Sequence, residues 1–230
     1  MARAALLTLA LLASGCYALT IGQEPKPVAP GKVRATTGMG WNLERPAPYL
    51  HVGLRVGVAQ RTEARLKLSL LNRFSLEAGV NVEAVERARW SLFLMPHYRY
   101  FSELAEDEFS WRDQQDRVLF RRIQALAVPT LFVVRAWGQE MFAGPDLHVG
   151  RRRGAGFLAL GGHLGLSFHL GKHVSLTPEL ALLVVTAGKR DVVHVEDRVI
   201  SELAERVLFA PGSVMGEAGL SISFGGVHGR

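Results

Sequence analysis

Asp146 and His148 stand two residues apart, so in any extended segment they share one side, an arrangement in which a carboxylate can orient an imidazole base. His163, His169 and His173 lie close together in the chain and raise the question of a metal site. An extended chain rises about 3.3 Å per residue, which sets His163 and His169 roughly 20 Å apart, too far to share an ion. No metal site is expected. Arg151, Arg152 and Arg153 form the one tight basic cluster, suited to charge-assisted hydrogen bonds with phosphate oxygens or to simple solvation in a turn. Cys16 is the single thiol, which excludes a disulfide framework and a Cys-based zinc site. No Ser-centred lipase motif and no nucleic-acid motif appears, and no cofactor is expected.

What these groups can do depends on the elements that carry them. The chain has 230 residues, a formal net charge of +6, 48% hydrophobic and 21% charged residues, too ordinary a balance for a disordered chain. No apolar run reaches the roughly 18 to 20 residues of a spanning helix. Any membrane-embedded form must therefore be a closed barrel, the other structure that satisfies every backbone polar group without water.

Alternation of period two supports that form. Leu50, Val52, Leu54, Val56 and Val58 alternate with His51, Gly53, Arg55 and Gly57, and the same parity holds over 62–70 and 74–82. A helix would scatter those charges around its surface, whereas a strand gathers them on one face. Further strands are expected at 32–41, 90–101, 123–135, 139–149, 155–170, 173–185 and 214–224. The expected fold is all-β: a single antiparallel up-and-down transmembrane β-barrel of about ten strands, within a range of about 8 to 12. Connections near 59–60, 86–88, 136–138 and 171–172 are short, while 102–120 and 186–212 are long. Short turns on the periplasmic side and long loops outside are the arrangement of an outer-membrane barrel. Within the second loop, Ile200, Leu203, Ala204, Val207 and Leu208 have helical spacing and predict a short amphipathic helix.

The amino terminus reads as an export signal. Arg3 precedes an apolar run over 4–12 that closes on Ala13-Ser14-Gly15-Cys16. Small residues before the only Cys resemble a bacterial lipobox, which implies acylation of Cys16, and Tyr17 after it favours the outer membrane. Ala13 stands where Leu is usual in that motif, and an ordinary cleavage site with Cys16 discarded or unmodified is the other reading. Pro25, Pro27, Pro30 and Gly31 obstruct helix and interior strand. The expected organisation is a signal peptide over 1–15, a lipidated Cys16 with a Pro-rich tether to 31, a barrel domain over 32–225 and a short tail over 226–230.

From 32 to 225 the chain resembles the small outer-membrane β-barrel proteins of Gram-negative bacteria, on its hairpin periodicity and on the final strand ending Leu220-Ser221-Ile222-Ser223-Phe224. That resemblance implies recognition by the barrel-assembly machinery through the strand ending at Phe224, contact with outer-membrane lipids, and no nucleic-acid partner. Asp146 and His148 resemble part of the catalytic set of the omptin proteases, also ten-stranded barrels, although their closely spaced Asp pair is absent. A hydrolase using Asp146 and His148 is thus one alternative to a non-enzymatic role.

Alternation alone does not say which face points inward. The polar face mixes Gly53, Gly57, Gly79, Gly161 and Gly165 with long charged residues, a combination suited to a narrow lumen. Phe74, Trp90, Tyr98, Tyr100, Phe168 and Phe224 share the apolar face near strand ends, where interfacial girdles form. The expected lumen charges are Arg55, Glu63, Arg65, Lys67, Glu77, Glu83, Arg89 and Arg99, with Arg61 on the same face. They suit a closed salt-bridge network or, through their basic excess, a narrow anion-preferring pore. The expected role is that of an outer-membrane lipoprotein with a structural or interaction function and a mostly plugged polar lumen, with Arg151, Arg152 and Arg153 able to contact lipopolysaccharide. A soluble periplasmic barrel that binds a small apolar ligand, its apolar face inward, is the remaining alternative.

Overall fold

A computed structural model describes residues 20–43, 48–70, 73–103, 121–152, 155–188, 211–212 and 214–225. The signal segment, Cys16, Arg153, the tail and the expected helix at 197–208 lie outside the described residues. Eleven strands follow one another: β1 (Val33–Asn42), β2 (Pro48–Ala59), β3 (Thr62–Leu70), β4 (Arg73–Glu86), β5 (Trp90–Leu94), β6 (His97–Glu103), β7 (Arg121–Ala136), β8 (Gln139–Arg152), β9 (Ala155–His169), β10 (Val174–Gly188) and β11 (Val214–Gly225). Every pairing is antiparallel, and β1 bonds to both β2 and β11, which closes the sheet into a barrel.

The barrel has ten staves, because β5 and β6 each pair with β4 on one side and β7 on the other. Pro96 breaks the stave. It has no N–H to give to the ladder, and its carbonyl accepts instead from Val80 N at 3.0 Å. Four connections, at 60–61, 87–89, 137–138 and 170–173, gather at one end, called the turn end here. The other five, including 104–120 and 189–213, join strands at the opposite, loop end.

The interior carries the polar face. Arg55, Glu63, Arg65, Lys67, Glu77, Glu83 and Arg99 are buried, while Leu50, Val52, Leu54, Leu66, Leu160, Leu164, Leu180 and Leu182 are exposed around the outside. The soluble alternative with its apolar face inward is therefore corrected: the sheet is polar inside and apolar outside. Phe74 and Tyr100 pack edge to face near the loop end, and Trp90 lies on Phe132 near the turn end.

Two expectations about position change. Arg89 and Arg61 are not lumen residues. β4 slips register between Glu83 and Val85 and ends at Glu86, so Arg89 falls in the exposed turn beyond it. Arg61, at a φ of 64°, occupies the β2–β3 turn and pairs outside with Glu86 at 2.9 Å. The larger change concerns the tether. Residues 20–25, 27 and 28 are buried within the barrel, running from Glu217 near the loop end of β11 down to Gly57 near the turn end of β2. At Gly57 a Cβ would meet the Val28 carbonyl oxygen at 2.5 Å, so the bare α-carbon admits the segment against the wall. The prolines that bar these residues from the sheet also leave fewer N–H groups to satisfy inside it.

Candidate functional site

The interior side chains sort into connected groups that meet on the 20–28 segment. Near the turn end, Arg55 donates through Nε and Nη2 to the two oxygens of Glu63, both at 2.9 Å. Glu24, from the segment, sits against Arg34 Nε at 2.6 Å and Arg55 Nη1 at 3.3 Å. Val28 N donates to Glu63 Oε2 at 2.8 Å, Arg55 also donates to the Lys26 carbonyl, and Asn81 donates to the Pro25 carbonyl.

A second group centres on Glu77, which faces Lys67 Nζ at 2.9 Å, Arg99 Nη2 at 3.2 Å and Arg65 Nη2 at 3.6 Å. Lys67 Nζ also donates to the Thr20 carbonyl at 2.6 Å. With its carbonyl turned toward Arg65, the Gln23 amide accepts from Nε and Nη1 at 2.9 and 3.0 Å. At the rim, Glu83 accepts from Ser91 and from Arg135, which reaches on to Glu140.

The third group holds the Asp146 and His148 pair. Asp146 Oδ2 lies 2.5 Å from His148 Nε2 and 2.8 Å from His163 Nε2, and His163 Nδ1 lies 2.7 Å from Glu179 Oε1. The two oxygens of Glu179 then accept from Ile21 N at 2.8 Å and Gly22 N at 2.9 Å. Thr20 donates its N–H and hydroxyl to Glu217 at 3.0 and 2.6 Å, and Tyr49 donates to the same carboxylate. The chain Asp146–His163–Glu179 thus ends on backbone amides rather than on a cleft. His163 and His169 belong to separate surroundings, with His169 Nδ1 3.8 Å from Glu24, and His173 is exposed in a turn. Among the described residues no group of His, Cys, Asp and Glu is arranged to hold a metal ion.

Apolar side chains also line parts of the wall. Ile21 packs with Phe93, Met95, Leu131, Val133 and Phe142, and a second cluster around Phe101, Ile123, Phe157, Leu183 and Met215 lies nearer the loop end. Arg151 is exposed toward that end, while the side chain of Arg152 lies outside the described residues.

Arg34, Glu24, Glu140, Glu179 and Glu217 were missing from the lumen set derived from the sequence. Glu179 and Glu217 follow Ser175 and Thr177, and precede Ser221 and Ser223, at the same parity, so the alternation of β10 and β11 marks them. With them, eight carboxylates and five Arg or Lys side chains are buried among the described residues. The cationic excess seen over 50–100 is offset from the other half of the barrel.

No protein-family model matches the chain, and no curated protein matches it in sequence. Among solved structures it resembles the translocator domain of autotransporter NalP from Neisseria meningitidis, with a TM-score of 0.37 and 11% identity over 97% of this chain and 94% of that one. It also resembles the outer membrane protease OmpT from Escherichia coli, with a TM-score of 0.34 and 10% identity over 85% and 92%. At these scores the likeness carries no residue correspondence.

Proposed function

We propose that the protein is an outer-membrane β-barrel whose interior is closed by its own residues 20–28, with a structural or interaction role in the cell envelope. The observation that carries this reading is polarity turned inside out. Large aliphatic side chains stay exposed around the barrel while arginines and glutamates are buried. Burying one such aliphatic side chain contributes about 1.5 to 3 kcal/mol, so a whole girdle of them left in water would drive association. A hydrocarbon surrounding removes that penalty. Strands β7 to β10, of 14 to 16 residues, exceed the roughly 9 to 11 that a tilted strand needs to cross a bilayer. The aromatic pairs near both ends fit interfacial girdles.

Closure of the interior rests on the ionic groups that converge on residues 20–28. The balance of buried charge gives an anion-preferring pore no support, and the burial of Asp146 and His148 behind that segment gives an enzyme none. Lipid anchoring through Cys16 belongs to the same proposal.

Gel mobility before and after boiling, with membrane fractionation, tests the reading. A folded barrel shifts on boiling and stays with membranes after an alkaline wash; a soluble chain with no shift overturns the membrane placement. In planar bilayers the intact chain is expected to give no sustained current, and steady open-channel current overturns the closed interior.

A further inference from the structure

Closing a barrel needs only bulk, yet side chains of the wall meet seven backbone groups of residues 20–28 with hydrogen bonds. Carboxylates take the N–H groups of Thr20, Ile21, Gly22 and Val28, through Glu217, Glu179 and Glu63. Lys67, Asn81 and Arg55 donate to the carbonyls of Thr20, Pro25 and Lys26. Pro25 and Pro27 bring no N–H that would need a partner.

The side chains are read as well. Ile21 enters the apolar recess formed with Phe93, Leu131 and Phe142. Gly22, at a φ of 66°, passes so close to His51 that a Cβ would stand 2.9 Å from Nε2. Glu24 is received by Arg34 and Arg55. A pocket for an aliphatic side chain, a narrow passage that favours glycine and a cationic clamp two residues further on form a recognition pattern, with main-chain contacts for affinity and side-chain contacts for selectivity.

We infer that the barrel interior is a peptide-binding site for an extended segment of the form aliphatic-Gly-x-carboxylate, filled in cis by residues 20–28 and able to take the same kind of segment in trans. The ligand class is a proline-containing peptide without regular structure that carries a carboxylate two residues after its glycine. The cis copy is joined to β1 through Gly31, which is exposed, has a φ of 71° and donates its N–H to the Gly57 carbonyl of β2 at 2.9 Å, so the segment and the sheet meet at this one exposed glycine. This inference rests on the closed-interior reading and does not depend on membrane placement.

The test uses the full chain in detergent micelles and a fluorescein-labelled synthetic peptide of residues 20–30. Glu24→Gln in the chain weakens the cis segment without touching the wall. The Glu24→Gln chain, shown folded by its gel shift, is expected to bind the labelled peptide saturably, while the unaltered chain does not. Peptides carrying Glu24→Gln or Ile21→Asp should bind on the order of a hundredfold more weakly, because the first removes the charge that Arg34 and Arg55 receive and the second buries an unpaired charge in the apolar recess. A second arm inserts a protease site at Gly31, cleaves the folded chain, and refolds it from urea with excess labelled peptide so that cis and trans segments compete at equilibrium. No saturable binding by the folded variant and no incorporation in the second arm overturn the inference, as does equal binding of a scrambled peptide. Steady current through the unaltered chain would instead overturn the closed interior; a closed chain whose variants ignore the peptide defeats this inference alone.

Discussion

Arg55 and Glu63 meet diagonally across the β2–β3 hairpin with two hydrogen bonds of 2.9 Å, both side chains fully buried. Neither is satisfied by the other alone. Glu63 also accepts from Val28 N, and Arg55 also reaches Glu24, so one pair joins two strands of the wall to the segment inside them. Two donors on the two oxygens of one carboxylate make this a bidentate ion pair, the geometry that adds specificity as well as energy.

Arg55→Leu strands Glu63 and weakens the hold on Glu24. Removing one partner of a buried pair costs about 3 to 5 kcal/mol, chiefly because a charge is left uncompensated. Arg55→Leu combined with Glu63→Met is expected to lose clearly less than the sum of the single changes. The urea midpoints of folded barrel in micelles, read by gel shift, provide the cycle; strict additivity would show that the two groups do not act as a unit.

Glu179→Gln tests the seat without removing side-chain bulk. The carboxylate serves Ile21 N and Gly22 N with separate oxygens, whereas an amide offers one acceptor and turns a donor toward the other N–H. A buried amide left without an acceptor costs about 1 to 3 kcal/mol, which translates to roughly five- to 150-fold more frequent release of the segment. With Gln23→Cys in a Cys16→Ser background, maleimide labelling of position 23 should accelerate by that factor. An unchanged rate means that Glu179 does not hold the segment.

The sheet was largely legible in the sequence, and the contents of its interior were not. Over 50–58, 62–70 and 74–82 polar and apolar residues alternate without interruption, because one face meets charge and the other does not. That contrast fades in β5 and β7, where Phe93, Leu131 and Val133 point inward opposite outward-facing Leu94 and Phe132, so periodicity identifies strands there without identifying their inner face. The segment was legible only as residues unable to join a sheet. Its location depends on Glu179 and Glu217, 158 and 197 positions away from their partners Ile21 and Thr20, and no local pattern encodes such pairings. Counting charges over 50–100 misjudged the lumen for the same reason, since Glu24, Glu140, Glu179 and Glu217 come from outside that window.

The two ends of the barrel make a prediction about sidedness. Gln60 is exposed in the β2–β3 turn and Arg151 near the loop end of β8. In a Cys16→Ser background, a membrane-impermeant maleimide applied to intact cells should label Arg151→Cys and leave Gln60→Cys unlabelled until the envelope is broken. The reverse pattern would invert the barrel, and equal labelling would show that it does not span the membrane.

Leu164 provides the sharpest distinction between a lipid and an aqueous surrounding. It sits near the middle of β9, pairs with Ala143 and Leu180, and exposes more than half of its side chain on the outer face. In water, Leu164→Arg places a charge on an already exposed surface and should change stability by no more than about 0.5 kcal/mol. At the bilayer midplane the same substitution costs about 2 to 4 kcal/mol, falling toward zero near the interfaces. Folding from urea into phospholipid vesicles should therefore show a large loss for Leu164→Arg and a small one for Leu170→Arg, since Leu170 lies in the β9–β10 turn at the barrel's edge. Depth dependence of this kind has no counterpart for a barrel in water, where both positions are equally solvated; equal and small effects would remove the membrane from the account while leaving the interior network as described.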